Sequence, residues 1–315
     1  MRDSIRRRKG TQAALLAGLV LTGAFAGSQG PPAPAESPAP VSPIVAAVGS
    51  MEAAGSNPGR RAALEAMLRD LGVPYEAEAF TIEARENYPR TEGANLVVTL
   101  GAGDSDIVVG AHYDAAWLPG AVLSGGAVDN AASAVILARL AGTLSGADLR
   151  HRVRIVFFDM EEIGLVGSRR YIETHAAETI RAAVNLDVNG YGDTVFYGPA
   201  AAPGNATLYD VVRDHCALER LRCLEFPAYP ASDHRSFQAA GIPNISFSVL
   251  PALEAHELWL FLNGGAASFR PGFAPAVLRT IHSPADTADR IEAAAMELGL
   301  RSLAAFVRRL DAVLE

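Results

Sequence analysis

Histidine and acidic side chains suited to metal binding follow three apolar stretches of this 315-residue sequence. They are His112 and Asp114 after residues 107–111, Glu161 and Glu162 after residues 153–158, and Asp187 after residues 182–186. Ligands of open α/β sheets bind outside the carboxyl ends of the strands, so three strands would deliver these groups to one edge. With Asp129 and His282 they form a set of imidazoles and carboxylates that suits zinc. Two histidines and three carboxylates, one of them bridging, suffice for two ions about 3.5–4 Å apart.

Each of these residues also has an ordinary structural interpretation when it is taken alone. Histidines such as His112 are often hydrogen-bonded structural residues, and Asp129 could cap the helix that follows it. Asp187 could satisfy backbone N–H groups. The pair Glu161 and Glu162 could lie in a solvated loop, and His282 could be a turn residue before Ser283-Pro284. The metal-site hypothesis therefore depends on the convergence of the whole set.

Apolar runs alternate with segments of helical periodicity along the chain. Strands are predicted at 95–100, 107–111, 153–158, 182–186 and 245–249, and helices at 60–71, 131–144, 168–175, 206–217 and 288–314. Strands that are apolar throughout and separated by helices indicate a sheet covered on both faces. We predict a single α/β domain with a mostly parallel, mixed central sheet between helices.

Six short motifs occur in an order that resembles a known family. They are His112-Tyr113-Asp114, residues 126–131 (GAVDNA), residues 158–162 (FDMEE) with Gly167-Ser168, residues 185–187 (NLD), Ser232-Asp233-His234, and residues 282–287 (HSPADT). Together they resemble the co-catalytic zinc aminopeptidases that include bacterial secreted leucyl aminopeptidases, over roughly residues 50 to 315. The resemblance implies a peptidase that acts on peptides with a free N-terminus.

The resemblance also implies a role for each matching residue. His112 and Asp187 would hold one zinc, Glu162 and His282 the other, Asp129 would bridge the two ions, Glu161 would be the general base, and Asp114 would orient His112. The Asp129–Asn130 peptide bond would be cis.

Four further residues are candidates for contact with the substrate. Tyr229 matches a tyrosine that some relatives use near the developing oxyanion, although it could equally be a packed surface residue. Asp233, His234 and Phe237 are candidates for a substrate pocket, and Phe237 could equally belong to the core. Some relatives have a tyrosine directly before the last histidine ligand, where this sequence has Ile281.

The N-terminus has the pattern of an export signal. Five basic residues within the first nine precede an apolar stretch of 14 residues, Ala13 to Ala26, which is shorter than the roughly 20 residues of a membrane-spanning helix. We predict a signal peptide at 1–26, a Pro/Ala-rich linker at 27–43 and a catalytic domain at 44–315, with a periplasmic or secreted location. An uncleaved membrane anchor is the alternative.

The net charge bears on the binding partners of the chain, and the two cysteines could form a disulfide. The net charge is −8 and would become −12 without residues 1–26, which carry five basic residues and one acid. Such a chain has little electrostatic reason to bind nucleic acid or anionic lipid, and we expect a monomer without stable membrane association. Cys216 and Cys223 could form a disulfide in an oxidising compartment or remain two free thiols.

Three other functions remain open at this stage. A glutaminyl cyclase of the same fold would use similar metal residues but release ammonia. A binding domain of that fold, as in the transferrin-receptor ectodomain, would have lost ligands that this sequence keeps. A carboxypeptidase or amidohydrolase of the same family is the third.

Overall fold

The structure is a computed structural model that describes residues 41–86, 88–200, 204–265, 269–270 and 272–314. The predicted signal peptide and nearly all of the predicted linker lie outside the described residues. Residues 41–315 form one compact unit. Its first helix begins at Pro43, the last residue assigned to the linker, because proline is well suited to the first turn of a helix.

One eight-stranded mixed sheet organises the domain. In chain order the strands are β1 (Glu76–Thr81), β2 (Glu92–Leu100), β3 (Asp106–His112), the short hairpin strands β4 (Trp117–Leu118) and β5 (Val122–Leu123), β6 (Arg152–Phe158), β7 (Ile180–Leu186), β8 (Thr194–Gly198), β9 (Cys223–Glu225) and β10 (Asn244–Leu250). The sheet order is β1-β2-β6-β3-β7-β10-β8-β9, and β4 pairs only with β5. The four central strands β6, β3, β7 and β10 are parallel, so their carboxyl ends share one edge.

Helices cover both faces of the sheet. They are α1 (Pro43–Ala53), α2 (Asn57–Asp70), α3 (Ala132–Leu144), α4 (Val166–Thr174), α5 (Ala206–Leu218), α6 (His234–Ala239), α7 (Ala252–Asn263), α8 (Ala276–Thr280) and α9 (Ala293–Val313). Along β3, Ile107 and Val109 belong to the larger core cluster, whereas Val108 belongs to the smaller cluster on the other face. This alternation is the period-two pattern of a strand buried on both sides.

The predicted α/β fold class is confirmed, and the five predicted strands are present. The sequence prediction missed β1, β8 and β9, the outer strands of the sheet. β1 is largely exposed and β9 has three residues, so both carry weak signals, whereas β8 is buried throughout and was overlooked. The long C-terminal segment divides into a 3₁₀ turn, Ala288–Arg290, and α9.

The structure joins Cys216, near the end of α5, to Cys223, the first residue of β9, in a disulfide. Their Cα atoms lie 6.2 Å apart, within the range that a disulfide bridges. Of the two states that the sequence left open, the structure has the bonded one.

Among the described residues, the stretch Ala127–Leu144 is the one helical segment long and apolar enough to cross a membrane by length and composition. However, 83% of it is buried inside the fold, where α3 packs against β3 and α9. Apolar composition of this kind is equally typical of the central helix of a folded core.

Candidate functional site

Six of the polar side chains predicted at the sheet edge converge in the structure, and a seventh, Asp114, lies beside His112. His112 is the last residue of β3, Glu161 and Glu162 follow β6, and Asp187 follows β7. Asp129 lies in a kinked turn, Ala127–Ala131, that leads into α3, and its own backbone angles are not helical. His282 enters from the loop after α8. The parallel arrangement of the central strands thus places groups that are far apart in sequence on one edge.

Asp129 lies between the two imidazoles. Its Oδ1 is 3.2 Å from Nε2 of His112, and its Oδ2 is 3.1 Å from Nε2 of His282. Asp187 Oδ1 lies 3.5 Å from Nε2 of His112, and Glu162 Oε2 lies 2.9 Å from Nε2 of His282. A carboxylate whose two oxygens face two separate ligand groups has the geometry of a bridging ligand.

These separations also fit coordination by a tetrahedral metal ion. Two donor atoms that are each 2.0–2.1 Å from zinc lie about 3.3 Å apart at the tetrahedral angle. Two groups of three residues each bring their candidate ligand atoms together, so that all the atoms of a group lie within 4.8 Å of one another. One group is His112, Asp129 and Glu162, and the other is His112, Glu161 and Asp187. The second group includes the predicted general base, Glu161.

The charge of the cluster supports the same conclusion. Burial and the neighbouring charge of Asp129 raise the pKa of Glu162 to about 7. Burial also raises the pKa of Glu161 well above its usual range, with further contributions from Asp233 and Asp187. Among the described residues, Glu162 Oε1 is buried without a hydrogen-bond partner, and Asp187 Oδ1 makes no hydrogen bond beyond its 3.5 Å approach to His112 Nε2. Excess buried negative charge and unpartnered carboxylate oxygens are what bound cations would relieve.

Asp114 connects the loop of one histidine with the glutamate pair. Its Oδ1 lies 3.5 Å from Nδ1 of His112, while its two carboxylate oxygens accept hydrogen bonds from the backbone N–H groups of Glu161 (3.1 Å) and Glu162 (3.3 Å). The backbone carbonyl of Asp114 lies 3.2 Å from the same His112 nitrogen. Asp114 is thus placed to orient His112, which is the role that the family resemblance implied for it.

Two positioning residues were not given a role in the sequence analysis. Arg60, on α2, is 1% exposed and donates hydrogen bonds to the carbonyls of Tyr113 (2.7 Å), Gly125 (2.8 Å) and Gly126 (2.9 Å). Asp286, within the last family motif, accepts hydrogen bonds from the backbone N–H groups of Val128 (2.6 Å) and Asp129 (3.2 Å). For Arg60 the sequence carries no signal beyond an arginine at an apolar position of a helix.

The backbone at the site adopts conformations that side chains disfavour. Met160, Val188 and His282 have φ values of 59°, 59° and 53°, in the left-handed region, and each is a candidate ligand or lies next to one. Gly126 also has a positive φ, and a Cβ there would approach Ala115 Cβ to 2.6 Å. The Asp129–Asn130 peptide bond is cis, as the resemblance implied. Residues with left-handed backbone angles persist where surrounding contacts fix the backbone, and they cluster at functional sites.

We expect Arg60→Met to lower the free energy of unfolding by about 3–5 kcal/mol, because it removes the guanidinium donor from three carbonyls, of which only that of Gly126 keeps another donor, the backbone N–H of Ala131. Urea denaturation measures this loss. Arg61→Met is the matched control, since Arg61 is partly exposed and forms an i,i+4 pair with Glu65. The control should cost less than about 1 kcal/mol. Equal losses in the two variants would show that Arg60 does not hold the ligand loops together.

Tyr229 is buried, and its hydroxyl contacts the Ser248 hydroxyl at 2.5 Å. Ser248 in turn donates a hydrogen bond to the backbone carbonyl of Asp187. The ring stacks on Phe196 and meets His234 edge-on. This residue is therefore not a surface tyrosine, and its hydroxyl is linked to a candidate ligand through Ser248. Its role near an oxyanion stays a prediction.

The other residues assigned to a substrate pocket are more deeply buried than a pocket wall requires. Asp233 and His234 are 0% and 1% exposed, and burial raises the pKa of Asp233 to about 7 and lowers that of His234 to about 4. Phe237 is 2% exposed and packs against Phe158 and Tyr171 in the smaller core cluster. The structure thus places Phe237 in the core, because α6 turns this side chain toward the sheet.

Comparison with known proteins shows where this fold and site belong. Residues 95–307 match the model of Peptidase family M28, a stretch that includes all the candidate ligands. An aminopeptidase of Pseudomonas aeruginosa strain UCBPP-PA14 is 30% identical over 134 residues, covering 38% of this chain and 24% of the relative.

Solved structures show the same fold at low identity. BSAP, a zinc aminopeptidase from Bacillus subtilis, is 19% identical with a TM-score of 0.56 and covers 71% of this chain and 51% of its own. The Porphyromonas gingivalis glutaminyl cyclase is 19% identical with a TM-score of 0.64, and the match covers 85% of this chain and 96% of the cyclase. The Legionella pneumophila LapA aminopeptidase is 18% identical with a TM-score of 0.61, and the match covers 86% of this chain and 72% of LapA.

The fold and the cluster of imidazoles and carboxylates define an α/β protein with a candidate metal site. More particularly, the chain belongs to Peptidase family M28, since the family model matches more than half of it. The family resemblance inferred from the six motifs is therefore confirmed. The matches span about a quarter of the Pseudomonas relative and half of the Bacillus structure.

Proposed function

We propose that this protein is an exported zinc-dependent aminopeptidase that holds two zinc ions per chain. The proposal depends on the position of Asp129, because one of its carboxylate oxygens faces the imidazole of His112 and the other faces that of His282. His112 and Asp187 would hold one ion, and Glu162 and His282 the other. Zinc ions in such a pair supply Lewis-acid polarisation of the scissile carbonyl and lower the pKa of a bound water.

The remaining chemistry belongs to side chains of this protein. Glu161 would take a proton from the attacking water and return it to the leaving amine. Its backbone N–H is held by Asp114, so its carboxylate is presented beside His112 and Asp187. Adjacent glutamates with separate roles are chemically reasonable, because a metal ligand cannot easily also be the mobile base. The carboxylates would also attract the free α-amino group of a peptide.

The substrate class is tested with a pair of compounds that differ only at the amino group. We expect the zinc-loaded protein to hydrolyse leucyl anilide and to leave N-acetyl-leucyl anilide intact, because acetylation removes the basic amine that the acidic site would bind. Equal cleavage of both would indicate an endopeptidase or an amidase instead. Release of the aniline is followed by absorbance.

Glutaminyl cyclisation is the second candidate function, since the Porphyromonas gingivalis cyclase matches this chain over 85% of its length. A peptide with an N-terminal glutamine separates the two activities. Ammonia release from it, without hydrolysis of leucyl anilide, would favour the cyclase. A non-catalytic binding domain would do neither, despite retaining every candidate ligand.

The proposal includes the location and the association state. The N-terminal basic and apolar pattern supports export to the periplasm or beyond, and the negative charge supports the absence of nucleic-acid binding and of stable membrane association. We propose a monomer.

A further inference from the structure

A cavity of about 430 Å³ opens beside two of the candidate metal ligands, Glu162 and His282. Its wall combines an aromatic and aliphatic part, Tyr88, Ala116, Trp117, Leu118, Pro119 and Ile163, with the charged or polar side chains of Arg85, Glu86, Glu162 and His282. We refer to this cavity as the Trp117 groove. None of its lining residues belongs to the Ser232-Asp233-His234 segment to which the sequence analysis assigned a substrate pocket.

The two flanks of the metal-binding cluster differ in accessibility. On one flank, His112, Asp187 and Asp233 are at most 9% exposed. On the other, the side chain of Glu162 is 6% exposed, but that of His282 is 54% exposed, and the Trp117 groove begins there. Among the described residues, the Trp117 groove therefore offers space beside the cluster for the part of a peptide that follows its amino end.

The groove is built on fixed elements. Trp117 and Leu118 form β4, which pairs with β5, and the start of this hairpin is held by two hydrogen bonds between Asn57 and Ala115 of 2.9 and 3.2 Å. On the opposite wall, Arg85 donates a 2.5 Å hydrogen bond to the carbonyl of Ile163, which follows Glu162 directly. A wall of this kind, fixed before binding, can contact a side chain with little loss of conformational entropy.

We propose that the Trp117 groove binds the side chain of the residue that follows the scissile bond and that it favours large apolar side chains there. This inference rests on the proposed aminopeptidase function and adds a substrate preference to it. Trp117 would provide the main contact surface, because a half-buried indole offers a large rigid apolar face. Among the described residues, the Nε1 atom of Trp117 is buried without a hydrogen-bond partner.

The test compares leucyl-phenylalanine amide with leucyl-glycine amide, using the full zinc-loaded chain. We expect the wild type to prefer the phenylalanine peptide, and Trp117→Ala to lower the ratio of the two kcat/KM values by about 10- to 100-fold, the scale of a lost aromatic anchor. Trp259→Ala is the matched control. Trp259 is the other tryptophan of the chain, and its Nε1 donates to the carbonyl of Glu225, away from the groove. This variant should keep the wild-type ratio.

The outcomes separate the inference from the proposed function. A ratio unchanged by Trp117→Ala, or lowered equally by Trp259→Ala, would overturn the groove assignment while leaving the aminopeptidase in place. If the wild type cleaves neither peptide, the proposed function fails and the groove assignment falls with it. If Trp117→Ala does not fold, as judged by thermal melting, Trp117→Leu provides the same comparison, with a smaller decrease in the ratio expected.

Discussion

The Glu161→Gln and Glu162→Gln variants should fail in different ways. Glu161→Gln should keep both metal ions and an unchanged KM while kcat falls by about 10²–10⁴-fold, because the amide cannot accept the proton of the attacking water. Glu162→Gln should weaken or lose one zinc, because its Oε2 lies 2.9 Å from the imidazole nitrogen of His282, which would bind the same ion.

Steady-state kinetics and metal analysis of the same protein batches separate the two failures. Glu178→Gln is a suitable control, since Glu178 lies in the 3₁₀ turn Ala177–Thr179 before β7, at the opposite end of that strand from Asp187. It should leave both the metal content and kcat at the wild-type level. If Glu161→Gln empties the site while Glu162→Gln retains both ions, the two roles are reversed.

Asp129→Asn should have the widest effect on metal binding, because it alters a group that faces both imidazoles. The wild type should contain about two zinc ions per chain. Asp129→Asn should weaken both sites by more than about 100-fold, the upper limit usually seen when only an outer partner of a ligand is removed. Metal analysis after dialysis against a weak chelator measures the remaining stoichiometry.

A second variant, at Asp187, makes this test specific, because Asp187 would bind only one of the two ions. Asp187→Asn should remove one ion and leave about one per chain, whereas Asp129→Asn should leave close to none. The exposed Asp289→Asn should keep two and serves as the control. Retention of one ion by Asp129→Asn would show that Asp129 belongs to one site only. A wild type that is fully active without metal would contradict the metal-site hypothesis itself.

The pattern of apolar strands and the residues that follow them predicted much of this site. The buried central strands were visible in the sequence because they are apolar throughout, and parallel strands require their carboxyl ends to meet. His112, Glu162 and Asp187 could therefore be placed together without knowledge of the strand order. The six ordered motifs then assigned roles that the strand pattern alone could not distinguish.

The flanks of the sheet were not predictable in the same way. β1 is mostly exposed and β9 has three residues, so neither has the continuous apolar run that identified the central strands. Phe237 illustrates a related limit. A phenylalanine near a family motif could face either a pocket or the core, and only the packing of α6 on the sheet placed it against Phe158 and Tyr171.

The sequence by itself determined the fold class, the identity of the candidate ligands and the family. Only the tertiary structure decided how those ligands face one another. Asp129 presents one oxygen to each imidazole because Asp286 holds the backbone N–H groups of its turn, and Arg60 secures the preceding loop from α2. These contacts join residues 65 to 158 positions apart. Local periodicity and spacing carry no information about such pairings, which depend on how helices and loops pack over the end of the sheet.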